Sequence, residues 1–170
     1  MGGKIVVGNN QTYHIKNAGL VLLHLLLETL FGKVGFLNNG ILNSGNQAAN
    51  VLQLAVGDLN TPHLLLNNIL CGLEHDTVGL SDTVFDKQEI DAVEEILTIA
   101  LLRWKEMQNT SLKGFQESFI CREGMLIKTG EDWTLKVEQR SFDVLLQTLP
   151  WSIGSIKLPW MNTVLQVDWV

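Results

Sequence analysis

A chain of 170 residues is long enough to bury one sizeable core without staples, and short for more than one full domain. Its net charge of −6 and pI near 5.1 exclude the cationic footprint that a nucleic-acid partner requires. With 46% hydrophobic and only 18% charged residues, it has a large core, or apolar surface for a partner to cover.

The first 17 residues are polar and Gly/Asn-rich around one short candidate strand, Lys4–Val7, and Met1-Gly2-Gly3 reads as a fragment start. The one apolar patch there is Ile5-Val6-Val7, so no secretory leader is visible and a cytoplasmic protein is expected. Asn17 is a good N-cap, which predicts a helix over 18–31 with Gly32 as its stop. That helix is apolar nearly all round and belongs at the centre of a bundle. Its run from Leu20 is interrupted by His24 and ends at Glu28, well short of the roughly 20 apolar residues that span a bilayer. His24 reads as a hydrogen-bonded core histidine, one turn from Glu28 on the same stripe.

Asn38-Asn39-Gly40 reads as a turn, and Ser44 caps a second predicted helix running to Val56. Thr61-Pro62 opens a short helix over 63–71, closed by Gly72. Residues 74–86 lack periodicity and read as a loop. Between residues 74 and 95 eight acids face the single Lys87, the pattern of a solvated face. The clearest helix covers 87–107, with Ile90, Val93, Leu97, Ala100, Leu101 and Trp104 on one face. Thr110 or Ser111 caps another, carrying Leu112, Phe115 and Phe119 and ending near Cys121.

At Met125 the period changes from helical to two. Trp133, Leu135 and Val137 alternate with Thr134, Lys136 and Glu138, which predicts a β-hairpin with one buried face. Ser141 caps a short helix over 142–149 that Pro150 ends. Two extended pieces follow, 152–158 and 164–169, split by Pro159. Four of the five tryptophans lie in this last part, and Leu-Pro-Trp occurs twice, at 149–151 and 158–160. Such a pattern specifies shape, because Trp is costly to expose and Pro fixes the backbone. Four tryptophans exceed what so small a core needs. Trp151, Trp160, Met161 and Trp169 are therefore expected on a partner-facing or self-associating surface. Leu20, Leu23, Leu97, Trp104, Phe115, Phe119 and Trp133 are expected in the core.

Reactive chemistry is hard to assemble. Cys71 and His75 lie four apart beside Glu74 and Asp76, but Gly72 breaks the helix between them and no second ligand pair exists. There is no Gly-x-Ser-x-Gly elbow and no phosphate loop, and His14, His24, His63 and His75 have no neighbouring nucleophile. No catalytic residue, metal ligand or cofactor-binding residue is assigned, and no enzyme is expected.

Taken in order, the punctuation carries a resemblance. It starts at Ile15-Lys16-Asn17-Ala18-Gly19-Leu20 and continues through Ala48–Leu54, Ile69-Leu70-Cys71-Gly72-Leu73 and Trp104. Asn109-Thr110-Ser111-Leu112 through Phe119, Arg122-Glu123-Gly124 and Trp133 come next. Leu149-Pro150-Trp151-Ser152-Ile153, Lys157-Leu158-Pro159-Trp160-Met161 and Val167-Asp168-Trp169 complete it. This resembles the C-terminal region of the tape measure proteins of contractile injection systems, over about residues 15–169. Leu25-Leu26-Leu27 departs from a Pro-Phe-Leu-like step in that family, and Gly154 from a bulky apolar residue. The resemblance implies a structural end module whose variable helical ruler lies outside this chain. It implies tube, baseplate or spike-hub subunits as partners, with self-association a further option, in a particle assembled in the cytoplasm.

The expected fold is α+β and mostly α: a bundle of five or six helices with a C-terminal β-hairpin subdomain. The expected division is a flexible segment 1–14, a helical bundle 15–122 and a Trp-rich hairpin subdomain 123–170, the last two folding cooperatively. A cytoplasmic adaptor or assembly chaperone without catalytic activity is the alternative function.

Overall fold

The computed structural model describes residues 4–7, 10–61, 63–73 and 83–169, with backbone alone for 4–7. Two strands open the chain, β1 (Lys4–Val7) and β2 (Asn10–Ile15). A 3-10 helix, Ala18–Leu26, runs directly into α1 (Leu27–Lys33). A small hairpin of β3 (Leu37–Asn38) and β4 (Ile41–Leu42) turns through Asn39 and Gly40, both at positive φ, as a two-residue hairpin loop requires. Then come α2 (Gly45–Val56), α3 (Leu65–Leu70) and α4 (Lys87–Arg103). A short α5 (Leu112–Phe115) widens into a π-helical turn, Gln116–Ile120. Strands β5 (Gly124–Thr129) and β6 (Asp132–Val137), a 3-10 helix (Ser141–Thr148), β7 (Ser155–Ile156) and β8 (Leu165–Asp168) finish it.

The arrangement corrects the expected bundle with an appended hairpin. The β5–β6 hairpin forms, but it is the middle of a six-stranded mixed sheet in the order β1-β2-β5-β6-β8-β7. β2 pairs antiparallel with β5, from Asn10 opposite Thr129 to Ile15 opposite Gly124. β8 lies parallel to β6, with Trp133 opposite Leu165. Strands from both ends of the chain thus flank the hairpin. β2 went unread because its polar residues Thr12 and His14 lie on the sheet's open face, where they carry no hydrophobic signal.

One face of the sheet is apolar and joins the helical core. Leu126, Trp133, Leu135 and Leu165 are buried in the same cluster as Leu20, Leu23, Leu52, Leu97 and Phe119. α4 buries Ala92, Val93, Ile96, Leu97, Ala100 and Leu101. Ile90, expected on that face, is 41% exposed. Asp86 and Glu89 close a capping box at the start of α4, with Glu89 N donating to Asp86 at 2.8 Å. The predicted extension to residue 107 breaks at Trp104, whose ψ of 88° is not helical. Pro62 and residues 74–82, read as a helix start and a loop, lie outside the described residues.

Gly19 sets how closely the helical layer approaches the sheet's entry. A Cβ there would stand 1.7 Å from the Phe119 carbonyl oxygen, so the opening 3-10 helix touches the π-helical turn backbone to backbone. Ala18 N also donates to the Arg122 carbonyl at 2.9 Å. Gly32, in contrast, has open space around it and ordinary backbone angles. Gly19→Ala is therefore expected to destabilise the chain by about 3 kcal/mol or more through overpacking. Gly32→Ala should be neutral or stabilising by up to about 1 kcal/mol, as for alanine in a helix. Urea unfolding of the two variants checks the contrast.

Candidate functional site

The residues singled out by the doubled Leu-Pro-Trp lie on a strap, residues 149–161, laid across the helices. Trp151 is half-buried and its indole N–H donates to the Leu22 carbonyl at 3.0 Å. His24 Nε2 bonds the Ser152 carbonyl at 2.8 Å, so the strap is pinned twice to the opening 3-10 helix. Burial lowers the His24 pKa below the ordinary imidazole value, with its bond to Ser152 opposing the shift.

Trp160, also half-buried, donates its indole N–H to the Leu70 carbonyl at 2.8 Å and tilts against Phe31 with centroids 5.5 Å apart. Leu70 ends α3, where carbonyls lack helical partners, so the indole supplies one. Gly72 makes that approach feasible: its φ is +75°, and a Cβ would lie 2.3 Å from the Trp160 carbonyl oxygen.

Met161 and Trp169 are buried inside the chain. Met161 Sδ accepts from Leu158 N at 3.3 Å within the second Leu-Pro-Trp turn. Trp169 belongs to a buried ionic node. Arg122 grips Asp143 with its two terminal guanidinium nitrogens, at 2.7 and 2.8 Å, and donates to the Ser118 and Glu138 carbonyls. Trp169 Nε1 and Arg140 N each donate to Asp143 Oδ2 at 3.0 Å. The rings of Trp169, Phe142 and Phe119 stand 5.1, 5.2 and 5.6 Å from the guanidinium carbon. Burial alone would raise the Asp143 pKa; the bonds from Arg122, Trp169 and Arg140, with the Arg122 charge, outweigh it and hold the carboxylate below its ordinary value.

The residues expected in the core, Leu20, Leu23, Leu97, Trp104, Phe115, Phe119 and Trp133, are all buried. Trp104 meets Phe119 edge-on at 5.0 Å and donates its N–H to Thr148 Oγ1. Trp133 packs on Tyr13 at 5.9 Å with Lys128 Nζ over its ring, linking β6 to β2. Cys71 is buried, which pushes its thiol well up; His75 lies outside the described residues. No group of three or more His, Cys, Asp or Glu with ligand geometry occurs among the described residues. No helix among them is long and apolar enough to cross a membrane.

Sequence reasoning missed a second buried polar group. Asn17 Nδ2 donates to Gln53 Oε1 at 3.1 Å and to Asn67 Oδ1 at 2.8 Å, while Asn67 Nδ2 reaches the Ala49 carbonyl. Asn17 stands at the N-cap position of the opening 3-10 helix, but its side chain makes no capping bond. The available signal was Asn67 inside the apolar run Leu64–Leu70, with no polar face to occupy.

The residues that punctuate this sequence thus join remote segments of the chain. A family model described as the contractile injection system tape measure protein matches residues 7–169, and the chain belongs to that family. Its members are structural components of the injection particle. Among curated proteins and among solved structures, no match is significant.

Because one charge of the node cannot be buried alone, Asp143→Ala should cost about 3–5 kcal/mol. Arg122→Met combined with Asp143→Leu should cost less than the sum of the single changes. The depressed Asp143 pKa adds stability that is present above the unfolded carboxylate value, near pH 4, and lost as pH falls below it. Chemical denaturation at pH 7 and pH 3 measures both effects.

Proposed function

We propose that this chain is the C-terminal module of a tape measure protein, docking to tube, baseplate or spike-hub subunits so that tube length is set during assembly. The match to the family across nearly the whole length carries this reading. The structure supports docking by shape at the strap. Leu25, 53% exposed, follows His24 on the opening 3-10 helix, and half-buried Trp151 and Ile153 flank the strap residue that His24 holds. Trp160 keeps exposed area beside α3, whereas Met161 and Trp169 serve the interior. The partner surface of the four expected residues therefore narrows to Trp151 and Trp160, with Leu25 added.

Leu25→Asp tests the docking. It removes an exposed apolar contact without touching a hydrogen bond, so the chain's stability should change by no more than about 0.5 kcal/mol. Electron microscopy of particles assembled with the variant should show failed assembly or a broadened tube-length distribution. Particles of normal number and length would contradict docking through the strap. An assembly chaperone, the other reading, would be absent from purified particles, where the module reading requires the chain to be found.

A further inference from the structure

The tip of the β3–β4 hairpin carries a reactive pair that neither the strap nor the ion-pair node uses. Leu37 pairs with Leu42 and Asn38 with Ile41, which leaves Asn39-Gly40 as the whole loop. Asn39, at 51°, is the one non-glycine residue with positive φ among the described residues, and Gly40 follows at 78°. Positive φ at both loop positions is the type I′ turn. Both residues are exposed, and a Cβ on Gly40 would meet nothing within 4 Å. Among the described residues the Asn39 side chain makes no hydrogen bond, so it turns freely. No other asparagine of the chain precedes a glycine.

A side-chain amide next to an unhindered backbone N–H is open to attack by that nitrogen. The five-membered ring that forms needs Gly40 N to eclipse the Asn39 Cα–Cβ bond. For an L residue this happens at ψ of about −120°, the value at the first loop position of a type II′ turn, where φ is about +60°. Asn39 already holds that φ, so only the peptide plane between Asn39 and Gly40 has to turn over. The flip reverses the sign of φ at Gly40, which glycine accepts without steric cost. Types I′ and II′ both serve two-residue hairpin loops, so the strands stay paired throughout. Asn39 thus stands one peptide flip from the reactive geometry, with open space around the flip.

We infer that Asn39 is a self-modification site, where Gly40 N loses its proton to solvent base and bonds to Asn39 Cγ while the side-chain nitrogen leaves as ammonia. Water then opens the ring at one of two bonds. Cleavage between Gly40 N and Cγ leaves aspartate at position 39. Cleavage between Gly40 N and the Asn39 carbonyl carbon leaves isoaspartate, whose chain runs through Cγ and one extra methylene carbon. Either product sets a carboxylate beside Ile41, which is 64% exposed. The isoaspartyl form also lengthens a loop whose two residues fix the register of β3 on β4.

The test incubates the full chain at pH 7 and pH 8 and maps its peptides by mass spectrometry. The peptide holding residue 39 should gain one mass unit and split into aspartyl and isoaspartyl forms. Conversion should run about tenfold faster at pH 8, because the attacking nitrogen must first lose its proton. Asn39→Gly keeps the positive φ without the amide and should abolish the gain, with the other asparagines intact in both chains. No gain at residue 39, an earlier gain at another asparagine, or aspartate formed without isoaspartate would overturn the assignment. The site shares no residue with the strap, so this result and the docking test can fail separately.

Discussion

The fold depends on one buried ion pair. Arg122 and Asp143 are held bidentate in the interior, where neither charge is tolerable without the other. Around them converge the π-helical turn at Ser118, the end of β6 at Glu138, the 3-10 helix that carries Asp143, and the end of β8 at Trp169. An apolar contact would have held these segments with less directional demand. A guanidinium with fixed donors accepts one arrangement of them, so the pair specifies where the last strand lies. The three aromatic rings around it supply the apolar shell.

From that node the remaining ties run outward. With Trp169 fixed, β8 lies parallel to β6, and the chain between them must cross the helices as a strap. The strap is held by indole N–H groups on the Leu22 and Leu70 carbonyls and by His24 on Ser152. On the other side, Arg122 hands its own carbonyl to Ala18 N, and Gly19 lets the opening helix close on Phe119. The N-terminal strand β2 is then delivered beside β5.

Much of the local structure was legible in the sequence, because local structure is set by neighbours. Ser111 caps α5, Gly72 follows α3 at positive φ, and the alternation of Trp133, Leu135 and Val137 gives β6 its buried face. What was not legible is pairing over long separations. Nothing in Asn10–Ile15 announces Gly124–Thr129 as its partner, and nothing in Asp143 names Arg122, so the expected bundle with a C-terminal hairpin subdomain missed the continuous sheet. The tryptophans were legible as special, but not that Trp169 turns inward while Trp151 and Trp160 stay half-buried. Their number in so short a stretch suggested a partner-facing surface, while the polar N–H on each of Trp151, Trp160 and Trp169 has an acceptor within the chain.

If the node ties both ends of the chain into one structure, β2, the opening 3-10 helix, β6 and β8 must open together. Native-state hydrogen exchange measures this amide by amide. The slowest amides of Tyr13, Leu23, Leu135 and Val167 should report one common opening free energy, with the same dependence on low denaturant. A lower opening free energy confined to β8 and the strap, with the helices still protected, would show that the C-terminal part folds as a separate unit and would contradict the central role of the ion pair.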